Sequence, residues 1–598
     1  MSSSESGAEG PTTIPGGISR EEILNASDRI TTSRCFRNSQ RLQRFVDFAV
    51  RSAVDGSLDH LKEYALGREV YERGSDYDPR LDSIVRVEAQ RLRRKLQDYY
   101  QTEGASDPVL VTFRPGSYVP SFTYREPSAT PSVTQAKTRL DRRTVAVLPF
   151  LNLSPEPAQE YFCDGITEDV IHMLSRSPEL NVIGRTSTFA FKGTTLDLPD
   201  IGAALGAGTL VEGSVRKAGN QVRISAEMVD AELGQVQWTA AFDVRLGDVF
   251  AIQEEIARSI ATALRAKLIL GQSGKLGRGA PEMDAYLLYL KGRQAWNGMT
   301  VSHYRTAISH FERAISLYPE YAAPYAGLAD AYCFLALWSG MRPSDAFPKA
   351  RDAAREALRL NEDLTHAYTS SAAADLFYLW DFDGATAMAK KATGMEPCYG
   401  FGQHIYGACL LAGGKAEEGL TCLRRAVELD PLSVRANRML GWALGLQRRY
   451  EEAETYLMAA VTLEPDSIEA RSLLAQLFIQ QGCIPDGLAQ ARQCQQGSPG
   501  PVALGILGIC LARSGQIDQA AHVLDHLRKL SADEYVDPYI MVQIYLALGD
   551  LDKALDFVQK LFDERSPVAV FVDLDPTFDP LRSDPKFGQL VSQLKRSV

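Results

Sequence analysis

"PCYGFGQHIYGACLLAGGKAEEGLTCLRRAVELDP", residues 397–431, decides the fold, because its pattern recurs along the chain. Pro397, Pro431, Pro465 and Pro499 stand 34 residues apart each time. Ala392, Ala426 and Ala460 keep that interval, as do Gly407, Gly441 and Ala475, and Ala385, Gly419, Ala453 and Gly487. Small residues at fixed places let two antiparallel helices approach closely, and a proline beyond the second helix ends it. An earlier unit ends at Pro319, and the next carries an insertion around Trp338 to Pro348. Later units run through Gly508, Ala520 and Ala554. Together they make about eight units over 283–565, enough to stack into a continuous superhelix. The closing "DPTFDPLRSDPKFGQLVSQLKRSV" breaks the period, so 566–598 reads as a cap whose Phe587, Leu590, Val591 and Leu594 cover the last helix pair.

The period and pattern resemble tetratricopeptide (TPR) repeats. That resemblance implies binding of a protein or peptide on the concave face, which each repeat's first helix lines. Carrying the family's groove positions across by register gives Phe401, His404, Arg435, Arg438, Trp442, Glu469 and Gln476 as the candidate partner-binding residues.

Working back toward the N-terminus, 271–282 reads as a linker and 144–270 as a different kind of unit. "TVAVLPFLNL" is a near-continuous apolar run, suited to a strand buried on both faces. A helical run from Thr167 to Ser175 follows, then "LNVIGRTSTFAF" as a second strand and a short helix around Ile201 to Leu205. Three further strands are expected over Thr209–Lys217, Gln221–Val229 and Val236–Val244, with Gly219-Asn220 and Leu233-Gly234 at the turns. A long amphipathic helix over Val249–Leu270 closes an α/β unit with a mixed sheet. The motifs "VAVLPFLNLS", "YFCDGITEDVI", "LVEGSVRKAGNQVRISAEMVDAELG" and "QVQWTAAFD" are similar to the N-terminal domain of the TolB-like family, which implies a binding fold without catalytic chemistry.

Between residues 18 and 126 the chain changes again. From Pro79 to Tyr100, Val85, Ala89, Leu92, Leu96 and Tyr99 recur at helical spacing, while Arg86, Arg91, Arg93, Arg94 and Lys95 fall off that stripe, with Glu88 the acid among them. Two strand-like runs, Val109–Phe113 and Tyr118–Tyr124, flank a turn at Arg114-Pro115-Gly116-Ser117. "VRVEAQRLRRKL" followed by "VLVTFRPGSYVPSF" resembles the recognition helix and wing of OmpR/ToxR-type winged-helix domains. "LKEYALGREVYERG" then takes the place of the positioning helix, and "RLQRFVDFAVRSAVDGS" that of the first helix. The resemblance implies duplex DNA as partner, through Arg86, Arg91, Arg93, Arg94, Lys95, Arg114 and Tyr118. Residues 1–17 read as a flexible tail without signal-peptide character, and 127–143 as a tether.

The 598 residues carry a net charge of −11, so affinity for nucleic acid has to come from a local patch. The nine cysteines form no Cys-x-x-Cys pair and suggest neither disulfides nor zinc. Phosphate-loop and dinucleotide readings fail. Gly271 to Leu276 lacks the hydroxyl after lysine, and Gly202, Gly206 and Gly208 follow a helix instead of a strand. Asp164, Glu168 and Asp169 fit helix capping better than acid/base work. His522 and His526 have metal spacing but no third ligand. No cofactor is expected. No stretch is apolar enough to span a bilayer, which points to the cytoplasm. Tandem repeats accompany cyclase domains in some bacterial signalling proteins, but nothing in this chain is left to host that chemistry.

The fold class expected is therefore multidomain: winged helix, α/β mixed-sheet unit, TPR solenoid. The function expected is a non-enzymatic, DNA-binding transcriptional regulator or signalling protein. The alternative is a TPR interaction scaffold whose N-terminal domain binds protein.

Overall fold

The structure, a computed structural model, describes residues 18–594 except 34, 38, 56, 58–60, 62, 72–83, 102, 105–106, 114–117, 125–139, 155–159, 195, 220, 246–248, 265–282, 496–499 and 533. The expected tail, most of the tether, the linker at 271–282 and the turn holding Arg114 lie outside the described residues. The chain divides into two units, 1–136 and 137–598.

The first unit runs α1 (Arg20–Thr32), α2 (Gln40–Val54), α3 (Glu63–Glu69), α4 (Ile84–Gln101) and the antiparallel hairpin β1 (Val109–Phe113) with β2 (Pro120–Tyr124), which pairs Val111 with Phe122. The stripe read on α4 is its buried side: Val85, Ala89, Leu92, Leu96 and Tyr99 are each at most 3% exposed. They meet Phe45 and Val46 of α2 and Val109 and Val111 of β1 in one core. Glu88 departs from the sequence reading, because it is buried beside that stripe. Helix α1 was not foreseen, although its signal is present. Ser19 and Glu22 form a capping box, with each side chain bonded to the other's backbone N–H. Tyr99 Oη donates to Asp107 at 2.6 Å, and Arg29 pairs with the same carboxylate at 2.9 Å, tying α1 and α4 to the start of the hairpin.

The second unit begins with a six-stranded mixed sheet, β5-β3-β6-β7-β8 with β4 also on β6. Its strands are β3 (Thr144–Val147), β4 (Leu151–Asn152), β5 (Asn181–Val182), β6 (Thr209–Ala218), β7 (Gln221–Asp230) and β8 (Gln235–Arg245), with helices α5 (Glu160–Ser175), α6 (Arg185–Phe189), α7 (Leu198–Leu205) and α8 (Val249–Ala263). The β6–β7–β8 meander lies where the turn residues put it, and Gly219 and Gly234 take the positive φ those turns need. Two expected strands are corrected. "TVAVLPFLNL" is broken between β3 and β4, where Leu148 N–H still bonds Val211 O at 2.8 Å. "LNVIGRTSTFAF" holds only β5 before the chain leaves the sheet. Gly184 N–H donates to Leu429 O at 2.6 Å and starts α6 against the solenoid.

Eight antiparallel helix pairs follow among the described residues: α9 (Met283–Trp296) with α10 (Val301–Leu317), α11 (Ala322–Leu337) with α12 (Pro343–Leu360), α13 (Thr365–Ala374) with α14 (Phe382–Met395), and α15 (Gly400–Ala412) with α16 (Ala416–Leu429). Then come α17 (Val434–Leu446) with α18 (Tyr450–Leu463), α19 (Ile468–Gln480) with α20 (Ile484–Gln493), α21 (Pro501–Arg513) with α22 (Ile517–Leu530), and α23 (Pro538–Leu548) with α24 (Leu551–Asp563). Pro397, Pro431 and Pro465 each follow a helix's last residue by two. Pro348, read as part of an insertion, lies inside α12. The recurring small residues are the crossing points. A Cβ on Gly419 would meet Gly407 O at 2.8 Å, one on Gly441 would meet Ala453 O at 3.1 Å, and one on Gly487 would meet Ala475 O at 3.1 Å.

The expected cap does more than cover the last pair. Helix α25 (Pro585–Val591) packs on α24, but the turns at Pro567–Phe571 and Pro576–Leu581 reach back into the superhelix. Phe571 meets Trp442 edge-on at 4.8 Å, and Arg448 pairs with Asp579 at 2.7 Å.

Gly419→Val drives two methyl groups into the α15 backbone and should destabilise the second unit by about 2–3 kcal/mol. Gly394→Ala, in a helix with nothing within 4 Å of the new Cβ, should be neutral or raise stability by about 0.5 kcal/mol. Denaturant unfolding of the two variants measures both, and equal effects would contradict the crossing-point account.

Candidate functional site

The first helices α11, α15, α17, α19, α21 and α23 face one another along the inside of the superhelix. With the turn at Pro567–Phe571 along one side, they line a half-open cavity of about 270 Å³. Six of the seven residues carried over by register line it: His404, Arg435, Arg438, Trp442, Glu469 and Gln476. Phe401 lines a second cavity of about 150 Å³ next to it, and His404 and Arg435 border both.

The chamber holds its cations on aromatic faces. Arg438 is 5% exposed, with its guanidinium carbon 4.1 Å from the centre of the Trp338 ring. Arg435 lies 4.4 Å from the Phe334 ring centre and 5.5 Å from that of Phe401. Such contacts leave the N–H edges of a guanidinium available. Burial pushes Arg438 down to about 10, partly offset by the charge of Glu469. Burial, reinforced by Arg435 and Arg438, pushes His404 down to about 3, so its ring is neutral. At the far end Gln476 Nε2 donates to Tyr539 Oη and Thr577 Oγ1, both at 3.2 Å, and Tyr539 Oη donates to Asp575 at 2.6 Å. Trp338, Phe334 and Phe571 were not singled out from sequence. Trp338 and Phe571 lie outside the repeating helices, at the end of α11 and in the terminal segment, so periodicity carries no signal for them, and Phe334 lies in α11, before the units whose 34-residue interval is regular.

The second cavity lies where the sheet module meets the solenoid. Asp164, Glu168 and Asp169 are not at a helix start as expected, because α5 begins at Glu160 and carries them along its length, with Asp164 and Glu168 buried and Asp169 half-buried. Glu168 is bonded to Arg185 of α6, to Arg293 of α9 at 3.1 Å and to Asn297 at 2.9 Å. Burial alone would raise its pKa, but the two arginines hold it below the ordinary carboxylate range. Asp164 pairs with Lys192 at 2.6 Å. Burial pushes Asp169 up to about 6. Glu396, just past α14, meets His172 of α5 at 3.6 Å and Arg176, just beyond α5, at 3.7 Å. Asp164, Glu168 and Glu396 serve as ion-paired joints, and Asp169 accepts from Tyr286 Oη at 3.1 Å. Among the described residues no group of three or more His, Cys, Asp or Glu is placed to hold a metal, and none of the nine cysteines is bonded to another.

In the first unit Arg93 and Lys95 are half-buried on α4, and Tyr118 packs 6.4 Å from Phe45 in the core. Burial lowers the pKa of Arg93. The side chains of Arg86, Arg91 and Arg94 lie outside the described residues.

Residues 410–468 match the family model of the tetratricopeptide repeat, and the paired helices around them form a TPR protein-interaction region. The chain is similar to "Putative adenylate cyclase 3" of Rhizobium meliloti (strain 1021), 39% identical over 218 residues, which are 36% of this chain and 37% of that one. It is also similar to the transcriptional regulator HilA of Salmonella typhimurium, 23% identical over 160 residues, which are 27% of this chain and 29% of that one. The chain thus spans about a third of the length of the curated relatives it matches. Among solved structures, the human IFIT1 dimer with PPP-AAAA is 14% identical with a TM-score of 0.38, covering 58% of this chain and 80% of that one. Pseudomonas aeruginosa PilF is 19% identical with a TM-score of 0.28, covering 38% and 98%. No helix among the described residues is long and apolar enough to cross a membrane.

Burial would raise Glu396, but His172, His366 and Arg176 outweigh it and hold the carboxyl at about 2, against an ordinary 4.5. A depressed carboxyl stabilises the fold above its ordinary value, and that contribution is lost as pH falls through the folded one. Glu396→Gln should therefore cost about 3 kcal/mol near neutrality and flatten the loss of stability between pH 4.5 and about 2. Denaturant melts across that range measure it.

Proposed function

We propose that this chain is a non-enzymatic, DNA-binding transcriptional regulator of the bacterial cytoplasm. Its N-terminal unit contacts duplex DNA as a winged helix, and its TPR solenoid receives a protein or peptide partner. The observation that carries the reading is α4, a helix whose apolar seam is buried and whose sequence sets five cations off that stripe, followed by a hairpin. A helix of that kind can lie in the major groove while the hairpin reaches the backbone. The similarity to a Salmonella transcriptional regulator supports it. The TolB-like module would hold the solenoid's first repeat, and the concave face with Arg435, Arg438 and Trp442 would be the recognition surface.

A second reading is a scaffold whose N-terminal unit binds protein. The half-burial of Arg93 and Lys95 favours it, because it leaves fewer cations for phosphate.

About five phosphate contacts make the logarithm of affinity fall with that of salt at a slope of roughly −4 to −5. The full chain should show that slope on mixed-sequence duplex DNA by fluorescence anisotropy. Arg91→Ala with Arg94→Ala should weaken binding about tenfold or more and bring the slope toward −3. Salt-independent binding, or none, removes the gene-control reading. A partner captured through Arg435 and Trp442 without regard to α4 favours the scaffold.

A further inference from the structure

The chamber on the concave face is furnished for something more specific than an extended peptide. Two features set it apart from an open groove. First, the segment Pro567–Phe571 crosses its side, and Phe571 contacts both Trp442 at 4.8 Å and Phe377 at 6.3 Å between ring centres. The space left is a room of about 270 Å³. That is close to the lower end of the range for small-molecule sites.

Second, Arg438 is buried with no carboxylate within 4.0 Å and no hydrogen-bond acceptor among the described residues. One face of its guanidinium rests on Trp338. A cation held this way costs stability, because it keeps only a narrow opening to water and gains no carboxylate in exchange. His404 Nδ1 beside it is likewise screened from solvent and has no partner. Arg185 and Arg293, by contrast, both reach Glu168.

We propose that this chamber binds a small organic monocarboxylate with a flat apolar body. The carboxylate takes the N–H edge of Arg438 with help from Arg435, and the ring system lies among Phe377, Trp442, Leu473, Ile506, Ile540 and Phe571. A carboxylate matches the planar fork of a guanidinium bidentately. At the Arg438 end of the chamber the charge asks for one negative group. Arg435 and Arg438 supply two positive charges, Glu469 at the rim supplies one negative, and His404 is neutral. Asp537, the other acid on the lining, is already engaged by Ser566 Oγ at 2.9 Å and by Tyr539 N–H at 2.9 Å. The proposal rests on reading the concave face as the recognition surface, and it does not depend on DNA binding by the first unit.

Naphthoate and its neutral amide, naphthamide, differ in charge and little in shape. Titrated calorimetrically into the full chain, naphthoate should bind one to one and about tenfold or more tighter than naphthamide, as a charge-assisted bond replaces a neutral one. Arg438→Met should abolish that preference without lowering the unfolding midpoint, since it removes an unmatched buried cation. Glu469→Gln should tighten naphthoate several-fold, an improvement that a misfolded chamber would not give. Equal affinity for the two probes, no binding of naphthoate at millimolar concentration, or indifference to both substitutions overturns the proposal. So does an acidic peptide that displaces naphthoate and binds more tightly than it does, because the occupant is then a peptide. Salt-dependent DNA binding measured on the same preparations separates failure here from failure of the regulator reading.

Discussion

One carboxylate fixes the geometry of the larger unit. Glu168 sits 5% exposed along α5, where Arg185 from the sheet module and Arg293 from the first repeat converge on it. A charge so far from water is tolerated only when its partners are in place, and a small displacement of either arginine leaves an unmatched ion. The sheet module and the solenoid are therefore held in one relative position. The seam continues where Asp430 accepts from Ser187 N–H at 2.7 Å and where Cys398 Sγ donates to Leu180 O at 3.1 Å. Tyr286, Leu290, Tyr321 and Leu429 of the repeats share a core with the sheet strands.

The two cavities on either side of Arg435 show two solutions to the same physical problem. Glu168 and Glu396 each meet cationic partners, and the result is rigidity. Around Arg438 the cation is held by π-faces, and its hydrogen-bonding edge is left for another molecule. The difference separates a joint from a receptor, although both are built from arginine, aromatic rings and a few acids.

Much of this was legible in the sequence, for identifiable reasons. The 34-residue interval reports a backbone-to-backbone contact, Gly407 against Gly419, that no larger side chain permits, so the helix pairs could be placed before any coordinates. The apolar seam of α4 and the β6–β7–β8 turns were readable because their periods are local. What was lost depends on distant partners. "LNVIGRTSTFAF" looks like a strand, but Gly184 and Ser187 are drawn out of the sheet by Leu429 and Asp430, some 245 residues away. Asp164 and Glu168 look like capping acids until Lys192 and Arg293 are seen opposite them. By register alone Arg438 and Trp442 could be assigned to the inner face, whereas Trp338 and Phe571, which complete their surroundings, belong to segments outside the repeat.

The terminal segment has a mechanical meaning as well. A stack of helix pairs touches only its nearest neighbours and behaves as a spring, free to change pitch. Here Phe571 and Asp579 reach from beyond the last pair to Trp442 and Arg448 in the fifth, and the sheet module grips the first. Clamped at one end and strutted across its hollow, the coil loses most of its elasticity. It becomes a frame of set curvature, in which an event inside the hollow is felt as stress on the strut and not as a stretch of the whole.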